Sequence, residues 1–158
     1  MELRTVAISY SSCNLDELEE DARQLVLQAR QATYLSYAPY SNFYVGAAVR
    51  VANGAVIMGS NQENVAFPSG ICAERCAMFY ANSAYPDVAP VSIAIAARGR
   101  DGKFTAHPIS PCGACRQVLL EAQVRYGKPL EIFLSGMEEV YVLKGVGALL
   151  PFQFDSLD

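Results

Sequence analysis

Leu15, Leu18, Ala22, Leu25, Ala29 and Ala32 recur at helical spacing along the early part of the chain. An apolar stripe of that period predicts an amphipathic helix, running here over 14–36. Asn14 is suited to cap its start, and Asp16, Glu17, Glu19 and Glu20 crowd the first turns, where the helix dipole favours negative charge. The run Ala38-Pro39-Tyr40-Ser41 then ends the helical pattern.

Beyond the proline the period changes. Residues 43–51 are rich in Val, Tyr and Ala, Asn53-Gly54 is a strong hairpin signal, and 55–59 supply a returning strand. Turn formers fill 61–70, and 72–83 read as a second helix. The apolar run 91–97 suits a buried strand, 99–110 a polar loop, 112–122 a third helix, and 130–134 and 140–143 two last strands. This order predicts an α/β domain whose helices cover a mixed sheet of five strands, with the direction of the last strands left open. No repeat, low-complexity tract or linker interrupts it, so a single domain over 1–158 is expected.

Charge narrows the partners. Twelve Lys and Arg stand against 16 Asp and Glu, a net charge of −4, with no basic stripe for a phosphate backbone. Extended nucleic acid is therefore not an expected ligand. Charged residues make up 18% and apolar ones 52%, a balance that points to surface buried between subunits. The first residues, Met1-Glu2-Leu3-Arg4, do not form a secretory signal, and no apolar run reaches the ~18 residues of a membrane span. A cytoplasmic protein without membrane contact is expected.

The five cysteines are an odd number in a chain large enough to build an ordinary core, which argues against a disulfide framework. Cys72-Ala73-Glu74 and Pro111-Cys112-Gly113-Ala114-Cys115 each fall where a helix starts. Free N–H groups and the dipole stabilise thiolates there. Cys112 and Cys115, three apart, share one face of a turn, so both sulfurs can meet one tetrahedral ion with Cys72 as third ligand. Zinc suits that donor set. Three protein ligands rather than four leave a coordination position open, as in catalytic sites. Cys76 is assigned to core packing and Cys13 to an inert position near the N-terminus. Glu74 is the group beside the thiolates able to carry protons.

The C-A-E and P-C-x-x-C motifs together resemble the zinc deaminase signature, with Cys in place of the more usual His. The resemblance is to the cytidine deaminases that act on free nucleosides, in their three-cysteine, homotetrameric subgroup. It covers 34–154 through Pro39-Tyr-Ser-Asn-Phe-Tyr-Val-Gly-Ala-Ala48, Asn61-Gln-Glu-Asn64, Cys72-Ala-Glu-Arg75, Pro111-Cys-Gly-Ala-Cys-Arg-Gln117 and Leu149-Leu-Pro-Phe-Gln-Phe154.

The resemblance implies a three-layer α/β/α domain and one zinc ion per chain on Cys72, Cys112 and Cys115. It implies that Glu74 is the proton shuttle and that Asn61 and Glu63 bind the ribose 3′-hydroxyl. Phe43 would pack on the pyrimidine, Ala73 would contact substrate, Arg75 would lie near the zinc thiolates, and Phe154 would close a neighbouring subunit's pocket. The implied reaction is hydrolytic deamination of cytidine and deoxycytidine to uridine and deoxyuridine with release of ammonia, in pyrimidine salvage. The implied assembly is a homotetramer. A blasticidin-type aminohydrolase and a structural zinc module are the alternatives. Asn61 and Glu63 argue against the first, and the second requires a fourth protein ligand. Two features depart from the family: Gln62 stands where an aliphatic residue is usual, and the 99–110 loop is longer than in the shorter bacterial relatives. His107, in that loop, is expected at the surface.

Overall fold

Asn53-Gly54 turns the chain as its composition demands: Gly54 adopts a φ of 91°, and the Ala55 N–H donates to the Asn53 side chain at 3.0 Å. The turn joins β2 (Tyr44–Val51) to β3 (Val56–Ser60) in an antiparallel pair. These strands belong to a sheet completed by β1 (Ser11–Cys13), β4 (Pro90–Arg98), β5 (Glu131–Ser135) and β6 (Val140–Lys144). The order across it is β1-β6-β5-β4-β2-β3. The computed structural model describes residues 1–157; Asp158, the last residue of the expected domain, lies outside them.

The sheet has six strands, not the five expected. The extra strand, β1, pairs antiparallel with the edge of β6. Its sequence, Ser-Ser-Cys, is too short and too polar to show a period-two pattern, so only the pairing partner reveals it. The direction left open by periodicity is also settled. β4 and β5 are parallel, whereas β5 and β6 are antiparallel.

Strand alternation divides the core into two layers. Ala48, Ala94 and Ala96 face α1 (Glu20–Ala32), where Leu25, Val26 and Ala29 pack. Small side chains on this face let the helix sit close. On the other face Val49, Ile93, Ile95, Ile132 and Leu134 meet Met78 of α2 (Ala73–Ala84) and Leu119 and Leu120 of α3 (Gly113–Tyr126). Helices therefore cover both faces of a mixed sheet, as expected.

The first helix is shorter than its apolar stripe. Asn14 opens a 3₁₀ turn at Leu15–Glu17, closed by the Glu17 carboxylate accepting from the Asn14 N–H at 2.6 Å. The backbone then leaves the helical region at Leu18 and Glu19 before α1 begins, and a second 3₁₀ turn, Thr33–Leu35, follows α1. Leu15 and Leu18 still pack beside the α1 layer, so the stripe marked burial correctly while the hydrogen-bonded helix did not extend through it. At the far end of α3, Gly127 takes a left-handed φ of 61° and ends the helix four residues beyond the expected stop. Among the described residues no helix is long and apolar enough to cross a membrane.

Candidate metal centre and substrate cleft

Cys72 and Cys112 are the N-caps of α2 and α3, both with extended backbone, and Cys115 lies in the first turn of α3. Both helices follow a strand of the same sheet, β3 and β4 respectively, which brings their N-termini together at one end of it. Gly59 on β3 helps to hold α2 there. A Cβ at Gly59 would come within 2.5 Å of the Ala77 nitrogen and 2.7 Å of the Ala73 carbonyl, so only glycine admits this approach.

The three sulfurs all lie within 4.8 Å of one another. Cys72 Sγ is 3.8 Å from Cys112 Sγ, and Cys112 Sγ is 3.4 Å from Cys115 Sγ. Sulfurs on tetrahedral directions at the ~2.3 Å Zn–S bond length are about 3.8 Å apart, so the cluster fits a zinc ion with little movement. Cys76, one turn along α2, is outside the cluster and half-buried. Cys13 lies in β1, far along the chain from both motifs, with its sulfur 3.9 Å from the Val140 carbonyl. All five cysteines are free thiols.

Local electrostatics favours charge on Cys72. The Cys72 thiol is lowered to about 5, first by its hydrogen bond with Cys115 and further by those with Arg75 and Cys112. Cys115 is pushed strongly upward, because its proton is held in the bond to Cys72 and because it is buried. Arg75 Nη2 lies 3.6 Å from Cys72 Sγ, and its buried Nε has no hydrogen-bond partner among the described residues.

Glu74 is 4% exposed, the one buried charged side chain among the described residues. Burial raises its carboxyl above the ordinary range, and the negative potential of Cys72 raises it further, while Arg75 and Cys115 pull the other way. Ala73, the first residue of α2, is fully buried.

Beside Cys72 and Arg75 opens a cleft of about 530 Å³, walled by Tyr40, Ser41, Asn61, Gln62, Glu63, Phe67 and Ile71 among others. Its size suits a small organic ligand. Residues 61–63 run as a rail between two other segments. The Asn61 carbonyl accepts from the Tyr37 N–H at 3.0 Å, the Glu63 N–H donates to the Tyr37 carbonyl at 2.8 Å, and Gln62 exchanges two 2.9 Å bonds with Ile71. The rail thus leads directly to Cys72.

Side chains hold it in register. Asn61 Oδ1 accepts from the Val45 N–H at 2.8 Å, and its Nδ2 donates to the Phe43 carbonyl at 2.9 Å. The Glu63 carboxylate accepts from the Tyr40 N–H at 2.9 Å, the Ser41 N–H at 3.2 Å and the Ser41 hydroxyl at 2.5 Å. These bonds, the Ser41 hydroxyl foremost, hold Glu63 below the usual carboxylate range.

The expected site residues therefore divide. Cys72, Cys112, Cys115, Glu74, Ala73 and Arg75 gather at the two helix starts, and Asn61 and Glu63 line the adjoining cleft. Phe43 stands just before β2, partly exposed, and its ring is not among the cleft walls. Phe154 lies on the outer side of α3, where its carbonyl accepts from Gln117 Nε2 at 2.8 Å, and its side chain is 67% exposed. In its own chain it does not reach the cleft. His107 is exposed, as expected, beside Glu138 and Glu139. Ser41, Tyr40 and Phe67 were not singled out in advance. Tyr40 and Ser41 fall inside the Pro39 motif, and Phe67 had no signal beyond being an aromatic in a turn-rich segment; it lies edge-on at 5.7 Å from Tyr40.

A three-thiolate centre at converging helix starts, with a buried carboxyl beside it, defines a zinc hydrolase site. Residues 19–127 match the model of the cytidine and deoxycytidylate deaminase zinc-binding region. The chain is 45% identical over 139 residues to a cytidine deaminase of Halalkalibacterium halodurans, covering 87% of this chain and 97% of that protein. The crystal structure of a cytidine deaminase from Burkholderia pseudomallei superposes with a TM-score of 0.69 at 39% identity, over 87% of this chain and all of that one. The cytidine deaminase of Mycobacterium tuberculosis gives 0.67 at 33% identity, over 86% and 98% of the two chains. The chain belongs to the zinc-dependent cytidine and deoxycytidylate deaminase family.

Proposed function

We propose that this chain is a single-domain cytidine deaminase that converts free cytidine and deoxycytidine to uridine and deoxyuridine, releasing ammonia, in cytoplasmic pyrimidine salvage. The observation that carries the reading is the buried Glu74 carboxyl two residues past the α2 cap, beside three sulfurs spaced for one zinc ion. A net charge of −4 and a cleft whose walls include Glu63 favour a nucleoside without phosphate.

Cys72, Cys112 and Cys115 would hold the zinc, which when bound supplies Lewis-acid activation of water. Glu74 would take a proton from the attacking water and deliver it to cytosine N3, which makes C4 electrophilic. The water oxygen bonds to C4, Glu74 carries the remaining proton of that new C4 hydroxyl to the amine, and the C4–N4 bond breaks so that ammonia leaves and C4 becomes a carbonyl. Burial suits Glu74 to both directions, because a raised carboxyl pKa lies closer to neutral pH. Arg75 offsets the net negative charge of the thiolate cluster. Asn61 keeps one amide proton beyond its bond to Phe43, and Glu63 is fixed as an acceptor, so the pair is equipped to bind a ribose 3′-hydroxyl.

The working unit we infer is a homotetramer in which Phe154 of one chain closes the cleft of another and Phe43 packs on the base. The solvent-facing Phe67, Phe79, Tyr80 and Phe154 support buried subunit contacts. The purified protein should contain one zinc per chain and release ammonia from cytidine. A zinc-loaded protein inert toward cytidine and deoxycytidine would defeat the proposal.

A further inference from the structure

We propose that Gln62 is a positioning residue for sugar recognition, tying the rail that carries Asn61 and Glu63 to the end of the first helical segment. The inference rests on the reading that Asn61 and Glu63 bind the 3′-hydroxyl.

Gln62 Nε2 donates to the Leu35 carbonyl at 3.2 Å and to the Ser60 hydroxyl oxygen at 3.0 Å. The Ser60 hydroxyl in turn donates to the same Leu35 carbonyl at 3.0 Å. The three groups close a triangle in which every hydrogen has an acceptor. Leu35 ends the 3₁₀ turn after α1, and Ser60 ends β3. The triangle therefore joins two elements of the scaffold at the residue lying between the two sugar-reading side chains.

Asn61 and Glu63 are anchored elsewhere, to Phe43, Val45, Tyr40 and Ser41. Without the Gln62 amide the Leu35 side of the rail is held by the Ser60 hydroxyl on the Leu35 carbonyl and by the backbone bonds to Tyr37. An aliphatic side chain at position 62 could fill the same space but supplies no donor. The Leu35 carbonyl would lose one of its two donors and the Ser60 oxygen its incoming one. The rail keeps its fold, since Gln62 itself is solvent-exposed and its backbone bonds to Ile71 remain. What loosens is the register of Asn61 and Glu63 against the cleft. That register governs how well a sugar hydroxyl is met, not the protons moved at Glu74.

The test uses the whole 158-residue chain loaded with zinc, with cytidine and 2′,3′-dideoxycytidine as substrates. Gln62→Leu removes the donors at similar size, and Gln62→Glu removes them at equal length. Both should raise KM for cytidine about five- to tenfold, the scale of one lost hydrogen bond, with kcat little changed. Both should also lower the ratio of kcat/KM for cytidine over 2′,3′-dideoxycytidine by a similar factor, and each should do so far less in a Glu63→Ala background. A merely structural contact would alter thermal stability without moving that ratio. A parental ratio in both Gln62 variants, while Glu63→Ala collapses it, overturns the role of Gln62 and leaves the sugar reading standing. A parental ratio in Glu63→Ala removes the sugar reading and this inference with it.

Discussion

The Sγ atoms of Cys72 and Cys112 lie 3.8 Å apart although 40 positions separate them in the chain. Each caps a different helix, so the metal they share with Cys115 would also fasten α2 to α3. Binding free energy at such a site adds to folding free energy. Removing zinc with a chelator, or replacing any of the three cysteines by Ala, should lower Tm by about 10 °C or more, the equivalent of several kcal/mol for a domain this size. Cys76→Ala and Cys13→Ala should keep one zinc per chain. Metal analysis and thermal melting of the five variants check this, and zinc loss in Cys76→Ala would show that the site is closed by a fourth ligand.

Glu74 is buried beside the sulfurs, with its carboxyl raised chiefly by that burial. Glu74→Gln keeps the shape and removes the proton acceptor. Zinc content and fold should be retained while kcat falls by at least the ~10²–10⁴ typical of a general acid–base group. Retention of more than about a tenth of the parental kcat would move the proton transfers to another group.

The two carboxylates of the site illustrate what the chain reveals before it folds. The zinc motifs were legible because their parts are local: C-x-x-C fixes two sulfurs on one turn, and Pro111 and the C-A-E triplet mark helix starts. Glu74 follows from its place beside Cys72. Glu63 was reached only through the resemblance, and its anchoring was not legible, since its partner Ser41 is 22 residues away and only the closed loop brings them together. The same holds for β1, a strand created by the edge of β6, and for the break at Leu18 and Glu19, where burial continues but the helix does not. Periodicity reports which residues are buried, and local motifs report chemistry. Edge pairing and long-range anchoring depend on the assembled sheet, which neither encodes.

Glu63 also has a titration to measure. The Ser41 hydroxyl and the Tyr40 and Ser41 amides hold its carboxyl below the usual range. A folded pKa depressed below the unfolded value means that these bonds contribute fully above the unfolded pKa and are lost as pH falls through the folded one. Ser41→Ala should therefore move the Glu63 pKa upward, read by NMR titration of the side-chain carboxyl, and raise KM for cytidine by a few-fold. A Glu63 pKa unmoved by Ser41→Ala would show that the hydroxyl is not what anchors it.

Phe154 tests the assembly. Its carbonyl is held by Gln117 on the outer side of α3, and its ring is solvent-facing in its own chain, outside the cleft beside Cys72. The lid reading requires that the ring enter a neighbouring chain's cleft, where it would exclude water and stack on the base without touching the metal. Phe154→Ala should keep zinc and raise KM for cytidine, and truncation before Val146 should also weaken assembly, because the apolar segment ending at Phe152 is lost. These results alone would not separate action in trans from packing within one chain. Mixing zinc-free Cys112→Ala chains with Phe154→Ala chains, under conditions that exchange subunits, does so. The only zinc-competent clefts then belong to chains lacking their own Phe154, and the only intact Phe154 rings belong to their neighbours. Apparent KM for cytidine should fall back toward the parental value as mixed assemblies form. An unchanged KM, with subunit exchange demonstrated by mass spectrometry, would return Phe154 to its own chain.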